Sequence, residues 1–581
     1  AQGAPMPPPA RAHCRVFVVA ARTHTRVLAL QNAYEQDNIN VYDQSPALAS
    51  VLQDAAPADA QDEKKRAEDA YQTLWPALEQ AAEWLKPRVD PALCYAHFVL
   101  AESELGANFR TQGGAKTAAA ARVTRRLDQL RDRARSDGRF PFALNVPAPD
   151  ADADSVTSSG DLRVVTPAWR RYFSVVGTNY FSGHVAPSLS PGQVEVFGVL
   201  HVDAGGRAGT TTSESDADAA EMVFDVRERW RRSKRQRQVN VALNTSDFYG
   251  REYPGFSRSQ VRQAVVKLEL KQQQADMADA DTLQHPCYLA GQTTVVEGVN
   301  VTVGGSGDAV KCMTLLESHV ASSNTNCPSQ NFCFLGSAPQ PQGFGSFYAS
   351  GVLREAVISA NRVLEYAGNK QEENNLAQLQ LPTPTLPALQ DAAKSICALP
   401  YKDVVAGAAS SQLSATGSSA LGSTMENERE LCLDLCYTIV LLQRMGVQDD
   451  DERIHFVEHF EKQPVLSRHG SGANAGRSSP PELVAWLTGA FLYLEALQRK
   501  VTFSIESELL AEQLSAGLPL GWNMSLLVFV AAGVFLYFTT GVVAKRTGRG
   551  STGYRRVING GAKAKYKDTT QSIVFVDDAR E

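Results

Sequence analysis

The sequence predicts an α/β protein of two lobes followed by one membrane-spanning helix, and three observations predict it. At 581 residues the chain is too long for one ordinary hydrophobic core. A hairpin of aliphatic runs, two segments of helical periodicity and a strand-rich stretch follow one another in its N-terminal half. One charge-free apolar stretch near the C-terminus matches the ~20 residues that a spanning helix needs.

The first element is a hairpin. Arg15 to Gln31 reads RVFVVAARTHTRVLALQ, two aliphatic runs around a short polar turn that holds neither acid nor glycine. Lys64 to Leu85 follows as a helix, because Ala67, Tyr71, Leu74, Leu78, Ala82 and Leu85 recur at helical spacing. Ala115 to Arg135 reads as a second helix with arginines on its solvated face. The polar stretch Ala148 to Gly160 reads as a linker. Leu162 to Thr166 and Val194 to Val202 read as strands. The charged region Asp216 to Gln238 reads as an exposed insertion, and the apolar run Leu483 to Leu494 as a buried core helix.

Met524 to Ala544 carries no charge and is followed by Lys545, Arg546 and Arg549. The positive-inside rule therefore puts residues 545–581 in the cytosol and the bulk of the chain in a lumen or outside the cell. The start AQGAPMPPPA, residues 1–12 being Pro-rich, reads as a mature N-terminus left by signal-peptide removal. Nine cysteines in an exported chain imply disulfides, and Cys327 and Cys333 bracket a short loop suited to a bridge. The odd total leaves at least one thiol unpaired or intermolecular. Asn244 and Asn300 stand in glycan-acceptor triplets. A formal charge of −6 argues against a nucleic-acid partner.

From Pro286 onward a series of segments carries a resemblance. PC with Cys287, GSGDAVKC ending in Cys312, CPSQNFCFLG from Cys327 and QGFGSFYASG to Gly351 occur in that order. SICALPY with Cys397, ELCLDLCYTIVLL with Cys432, IHFVEHF and VAWLTGAFL follow. Upstream stand LRVVTPAWRRYFSVVGTNYFSG and DFYGREYPGFSRSQVRQAV. In order and spacing these resemble the apyrases, the nucleoside tri- and diphosphohydrolases that include Golgi guanosine diphosphatases. The resemblance implies two actin-like (RNase H-like) lobes around a nucleotide-binding cleft. It implies lobes at 13–162 (completed by 482–515) and 163–481. It adds Cys287, Cys312, Cys397 and Cys432 to the disulfide candidates, with Cys432 as the partner of Cys397.

Carried over one position at a time, the resemblance implies a damaged active site. The first phosphate turn of the family holds an acid, a glycine and a serine. Here those positions are Val19, Ala21 and Arg22, while Thr23 and Thr25 remain for phosphate contact. The second motif is replaced by bulky residues around His97, a candidate new acid or base weighed against a core histidine. The general base of the family falls on Pro167, Ala168, Trp169, Arg170 and Arg171, where no carboxylate is present. Such a base contributes about 10²–10⁴-fold. The fourth motif survives as Asp203, Gly205 and Gly206, a phosphate turn whose acid would hold metal; an alternative register puts His201 at the acid. Tyr437 falls where the family stacks a base. The expected protein is thus non-catalytic or weakly active, holding a nucleotide or other anion among Arg22, Arg170 and Arg171. The alternative is an active phosphohydrolase that recruits Glu102, Glu104 or Asp203 to bind Ca2+ or Mg2+. A protein partner is a further expectation for a non-catalytic relative.

Overall fold

The computed structural model describes residues 13–498, apart from 22–23, 34–37, 45–47, 53–59, 102–117, 145–161, 190–194, 205–218, 227–242, 244, 274–281, 297–298, 300, 324–326, 329–331, 338, 344, 371–378, 407–428, 459, 461–464 and 468–483. The expected spanning segment 524–544 and the basic tail lie outside the described residues. Among the described residues no helix is long and apolar enough to cross a membrane.

The first sheet is built on the predicted hairpin. Strand β1 (Cys14–Ala20) pairs antiparallel with β2 (His24–Ala33), which pairs antiparallel with β3 (Asn38–Asp43) and with the short β4 (Leu48–Ala49). On its other side β1 pairs in parallel with β5 (Tyr95–Ala101), and β5 with β6 (Val164–Val165). The second sheet repeats this plan. Strand β7 (Gly198–Val202) pairs antiparallel with β8 (Ala219–Asp225), and β8 with β9 (Phe248–Pro254). A small sheet of β10 (Leu283–His285), β11 (Thr293–Val296) and β12 (Val301–Gly305) comes next in the chain. The second sheet then resumes: β7 pairs in parallel with β13 (Phe347–Gly351), and β13 with β14 (Ile454–His455). The path β3-β2-β1-β5-β6 thus recurs as β9-β8-β7-β13-β14, with the same strand directions. A last strand, β15 (Val465–Ser467), returns to the first sheet beside β3.

The lobe limits drawn from the resemblance therefore need correction. Both β6 and β15 fall within 163–481, yet both hydrogen-bond into the first sheet.

Burial follows period-2 alternation. In β1, Cys14, Val16, Val18 and Ala20 face one core, while Phe17 and Val19 face another. Helices α1 (Ala60–Leu85) and α2 (Ala118–Ser136) cover the first face. Helix α3 (Pro167–Phe181) and a helix over 484–498 lie between the two sheets. The outer face of the second sheet is covered by α4 (Arg258–Gln273), α5 (Ala309–Ser323), α6 (Val352–Lys370), α7 (Leu386–Ala398) and α8 (Leu431–Met445). We label the helix over 484–498 α9; it contains the apolar run expected to be a core helix.

The two central helices touch backbone to backbone. A Cβ on Gly177 would sit 1.8 Å from the Ala485 carbonyl oxygen, and one on Gly489 would sit 2.0 Å from that of Phe173. Neither site has room for a methyl group. Gly177→Val is expected to destabilise by about 3 kcal/mol or more, the upper end of overpacking costs, because backbone rather than a side chain must move. A urea midpoint equal to that of the parent would contradict this crossing. Charge anchors α9 to the first sheet: Glu495 accepts from Arg15 Nε at 2.9 Å and pairs with His13. Burial alone would raise the Glu495 carboxyl, but the hydrogen bonds and charges of His13 and Arg15 outweigh it and hold it low.

Candidate functional site

The inner face of the second sheet carries a row of polar side chains across three strands. In register, Ser350 of β13 lies beside His201 of β7, which lies opposite Glu221 of β8. Alternation gives the neighbouring row Tyr348, Val199 and Val223, while Leu200, Met222 and Ala349 join the opposite core. Above these rows runs α3, and between them is a pocket. Its walls include Val199, Val223 and Tyr348 from the sheet and Ala485 from α9.

The pocket is cationic. Pro167 sets the first turn of α3, a position where its missing N–H costs nothing. That turn carries Arg170 and Arg171 into the lining, and Arg354 enters from the first turn of α6. Among the described residues, three guanidinium groups thus share the lining with one carboxylate, Glu221. Arg170 approaches Glu221 at 3.9 Å, and both are buried. Arg354 is held by backbone carbonyls, donating to those of Val457 and Glu458 at 2.7 Å each. Among the described residues, buried Arg171 Nε has no hydrogen-bond acceptor, and a Cβ on Gly250 would meet it at 2.9 Å. Gly250 therefore lets that guanidinium lie against β9.

A hydrogen-bonded chain runs along the same face. His201 Nε2 donates to Asp203 Oδ1 at 2.9 Å, and Ser350 Oγ donates to His201 Nδ1 at 2.9 Å. The directions follow from chemistry: an ionised carboxylate only accepts, so Nε2 carries the proton and Nδ1 is left as an acceptor. Asp203 directly follows β7, is buried, and its carbonyl accepts from the backbone N–H of Arg258, the first residue of α4, at 3.0 Å. Sequence reasoning missed Ser350, since its partner lies 149 residues away. The visible signal was His201-Val-Asp203, whose spacing puts two polar side chains on one strand face.

The sequence-derived positions divide into three groups. Arg170 and Arg171 line the pocket and Asp203 stands beside it, bonded to His201. Arg22, Thr23, Gly205, Gly206, Glu102, Glu104, Asn244 and Asn300 lie outside the described residues. Others are in the core. Thr25 is fully buried, its Oγ1 accepting from Val51 N at 3.0 Å. Val19 packs inside the sheet. His97 is buried between Arg15 and the Leu162 backbone and stacks on Phe17, so it acts as a core histidine. Tyr437 requires correction as a base-stacking residue. It lies inside α8, 1% exposed, and its hydroxyl donates to the Phe256 carbonyl at 2.8 Å.

Disulfides join Cys14 to Cys94, Cys287 to Cys312, Cys327 to Cys333 and Cys397 to Cys432. Cys436 is a buried free thiol, pushed up to about 12 chiefly by burial.

Among the described residues, no set of side chains forms an open site for a divalent cation. Three ligating side chains converge there only at Cys397, Cys432 and Cys436, and two of those sulfurs are committed to a disulfide. Val19 and Pro167–Arg171 offer no oxygen donor in their side chains, and Asp203 Oδ1 is engaged by His201.

No family model and no curated protein sequence matches the chain. Among solved structures it is similar to nucleoside triphosphate hydrolases from Neospora caninum, at 12% identity, covering 84% of this chain and 94% of that one, with a TM-score of 0.46. It is also similar to a Ppx/GppA family member from Aquifex aeolicus, at 10% identity over 74% of this chain and 90% of that one, with a TM-score of 0.30. The type II variant of the Aquifex aeolicus Ppx/GppA phosphatase matches at 11% identity over 75% and 93%, with a TM-score of 0.33.

Proposed function

We propose that this chain is an apyrase-like protein of two actin-like lobes whose pocket under α3 binds a phosphorylated anion, in the first place a nucleoside di- or triphosphate, without metal-dependent hydrolysis. The observation that carries the reading is the replacement of acid by guanidinium at the start of α3. Where the resemblance implies a general base, Arg170 and Arg171 enter the pocket and Arg354 joins them. A guanidinium donates in pairs to phosphate oxygens and cannot take a proton from water at neutral pH. The repeated strand order of the two sheets supports the lobe assignment.

A nucleotide panel tested with and without Ca2+ or Mg2+ checks both halves of the reading. A nucleotide at about 100 times its Kd should add roughly 2.7 kcal/mol to the unfolding free energy. Phosphate release should stay at the buffer rate. Arg171→Ala should weaken binding by about 10-fold or more, the loss of one charge-assisted hydrogen bond. Thermal midpoints unmoved by every nucleotide would sink the binding reading. Metal-dependent release that disappears in Asp203→Ala would replace it with the active phosphohydrolase.

A further inference from the structure

We infer that Ser350, His201 and Asp203 form a nucleophilic relay, and that the pocket under α3 hydrolyses carboxylic esters bearing an anionic group. The inference goes beyond nucleotide binding and does not depend on it.

Strand register brings the three groups together. Parallel pairing sets Ser350 beside His201, and alternation along β7 puts Asp203 on the same face two residues on. Both links of the chain are 2.9 Å, within normal hydrogen-bond range. Ser350 and His201 line the pocket, while Asp203 is buried behind them at 2% exposure. That is the division of labour such a relay needs: an accessible hydroxyl, an imidazole between, and a carboxylate kept from water to hold the ring tautomer.

The backbone at Ser350 adds an independent observation. The chain passes from β13 directly into α6, and Gly351 makes the turn with φ of +61°. A Cβ at Gly351 would lie 2.3 Å from the Val202 carbonyl oxygen, 2.7 Å from His201 Cε1 and 2.9 Å from Nδ1. Glycine here lets both the β7 backbone and the imidazole lie close against this turn beside the serine. A serine on a sharp strand-to-helix turn is also how other hydrolase folds present a nucleophile. The lining decides the substrate class. Val199, Val223 and Tyr348 suit an acyl chain, and Arg171 and Arg354 suit a negative charge on it.

The chemistry balances without a cofactor. Ser350 Oγ attacks the ester carbonyl while its proton passes to His201 Nδ1. The C–O bond to the alcohol breaks, and His201 returns the proton to the leaving alkoxide. Water then attacks the acyl-serine, His201 taking its proton and delivering it to Ser350 Oγ as the acid departs. Asp203 acts as a positioning residue through its bond to Nε2.

The full chain is to be treated with an alkyl fluorophosphonate and mapped by peptide mass spectrometry. Ser350 Oγ should bond to phosphorus with loss of fluoride, leaving one adduct, on Ser350. Ser350→Ala should abolish labelling, and His201→Asn should slow it by about 10²–10⁴-fold. The p-nitrophenyl hemisuccinate ester should turn over repeatedly and faster than the neutral acetate. Asp203→Asn should lower kcat for it by roughly 10²–10⁴-fold with KM unchanged, since it reverses the ring tautomer and leaves the pocket intact. The peptide map of the parent chain decides the matter even where a variant misfolds. An unmodified Ser350, an unchanged labelling rate in His201→Asn, or no turnover of the anionic ester would overturn the inference.

Discussion

Arg258→Met is expected to lower the unfolding free energy by about 3–5 kcal/mol at pH 8, the loss that follows when one partner of a buried ion pair is removed. Arg258 Nε lies 2.9 Å from Glu430 Oε2, and its Nη1 lies 3.2 Å from Asp434 Oδ2. Arg262 pairs with Glu430 on the other side. All of this joins the start of α4 to the start of α8, where both acids also meet the positive end of the α8 dipole. Without Arg258, Asp434 would stay buried with its strongest partner gone. Burial is the largest influence on Asp434 and raises its carboxyl above the usual range, while Arg258 pulls the other way.

The sign of the pH dependence follows. A carboxyl raised by folding binds more protons in the folded state than in the unfolded one. Its contribution to stability therefore falls as pH rises above the ordinary carboxylate value of about 4. Removing Arg258 raises Asp434 further and steepens that fall. The deficit of Arg258→Met relative to the parent should thus be smaller at pH 5 than at pH 8 in urea titrations. A deficit under about 1 kcal/mol at both pH values would mean that the network is hydrated. The same residue reaches the site: Arg258 N donates to the Asp203 carbonyl, and Ser259 N to that of Ala204 at 3.1 Å. Loosening α4 should therefore also disturb the Asp203–His201 bond.

The local parts of the fold were legible in the sequence, and its long-range pairings were not. The β1–β2 hairpin could be read because two aliphatic runs flank one short turn, a signal within a few residues. Helix α1 could be read from its stripe, and α9 from an apolar run too short to span a membrane. Nothing local told that β6 and β15 belong to the first sheet. They are two and three residues long and owe their place to neighbours far away in sequence. Tyr437 shows a motif outweighing a better signal. LCLDLCYTIVLLQRM is apolar around its whole circumference, the pattern of a buried helix, and the ring lies in the core accordingly. Arg170 and Arg171 could be looked for at the pocket because the resemblance set Pro167–Arg171 at the family's general-base position. The serine opposite His201 could not, since only the β7–β13 register brings it there.

Replacing both Cys14 and Cys94 by Ala should cost about 4.5 kcal/mol, more than the loss of any other single cross-link in the described structure. The difference follows from loop length. The bond closes a separation of 80 residues, against 35, 25 and 6 for the other three. Chain-entropy scaling gives only about 2.4 kcal/mol for the shortest loop, so the Cys327–Cys333 double variant should lose roughly half as much. Position reinforces the difference. Cys14 and Cys94 are buried where β1 and the chain entering β5 meet, next to the Arg15–Tyr95 pair, and their removal leaves a small cavity in the core under α1 and α2. The cavity adds to the entropic loss in the folded state, whereas residual structure in the unfolded chain subtracts from it. Paired urea titrations under non-reducing conditions separate these contributions. If the two double variants lose the same amount, loop entropy does not set the stability of the first sheet, and its cohesion comes from the packing of β1 against both cores.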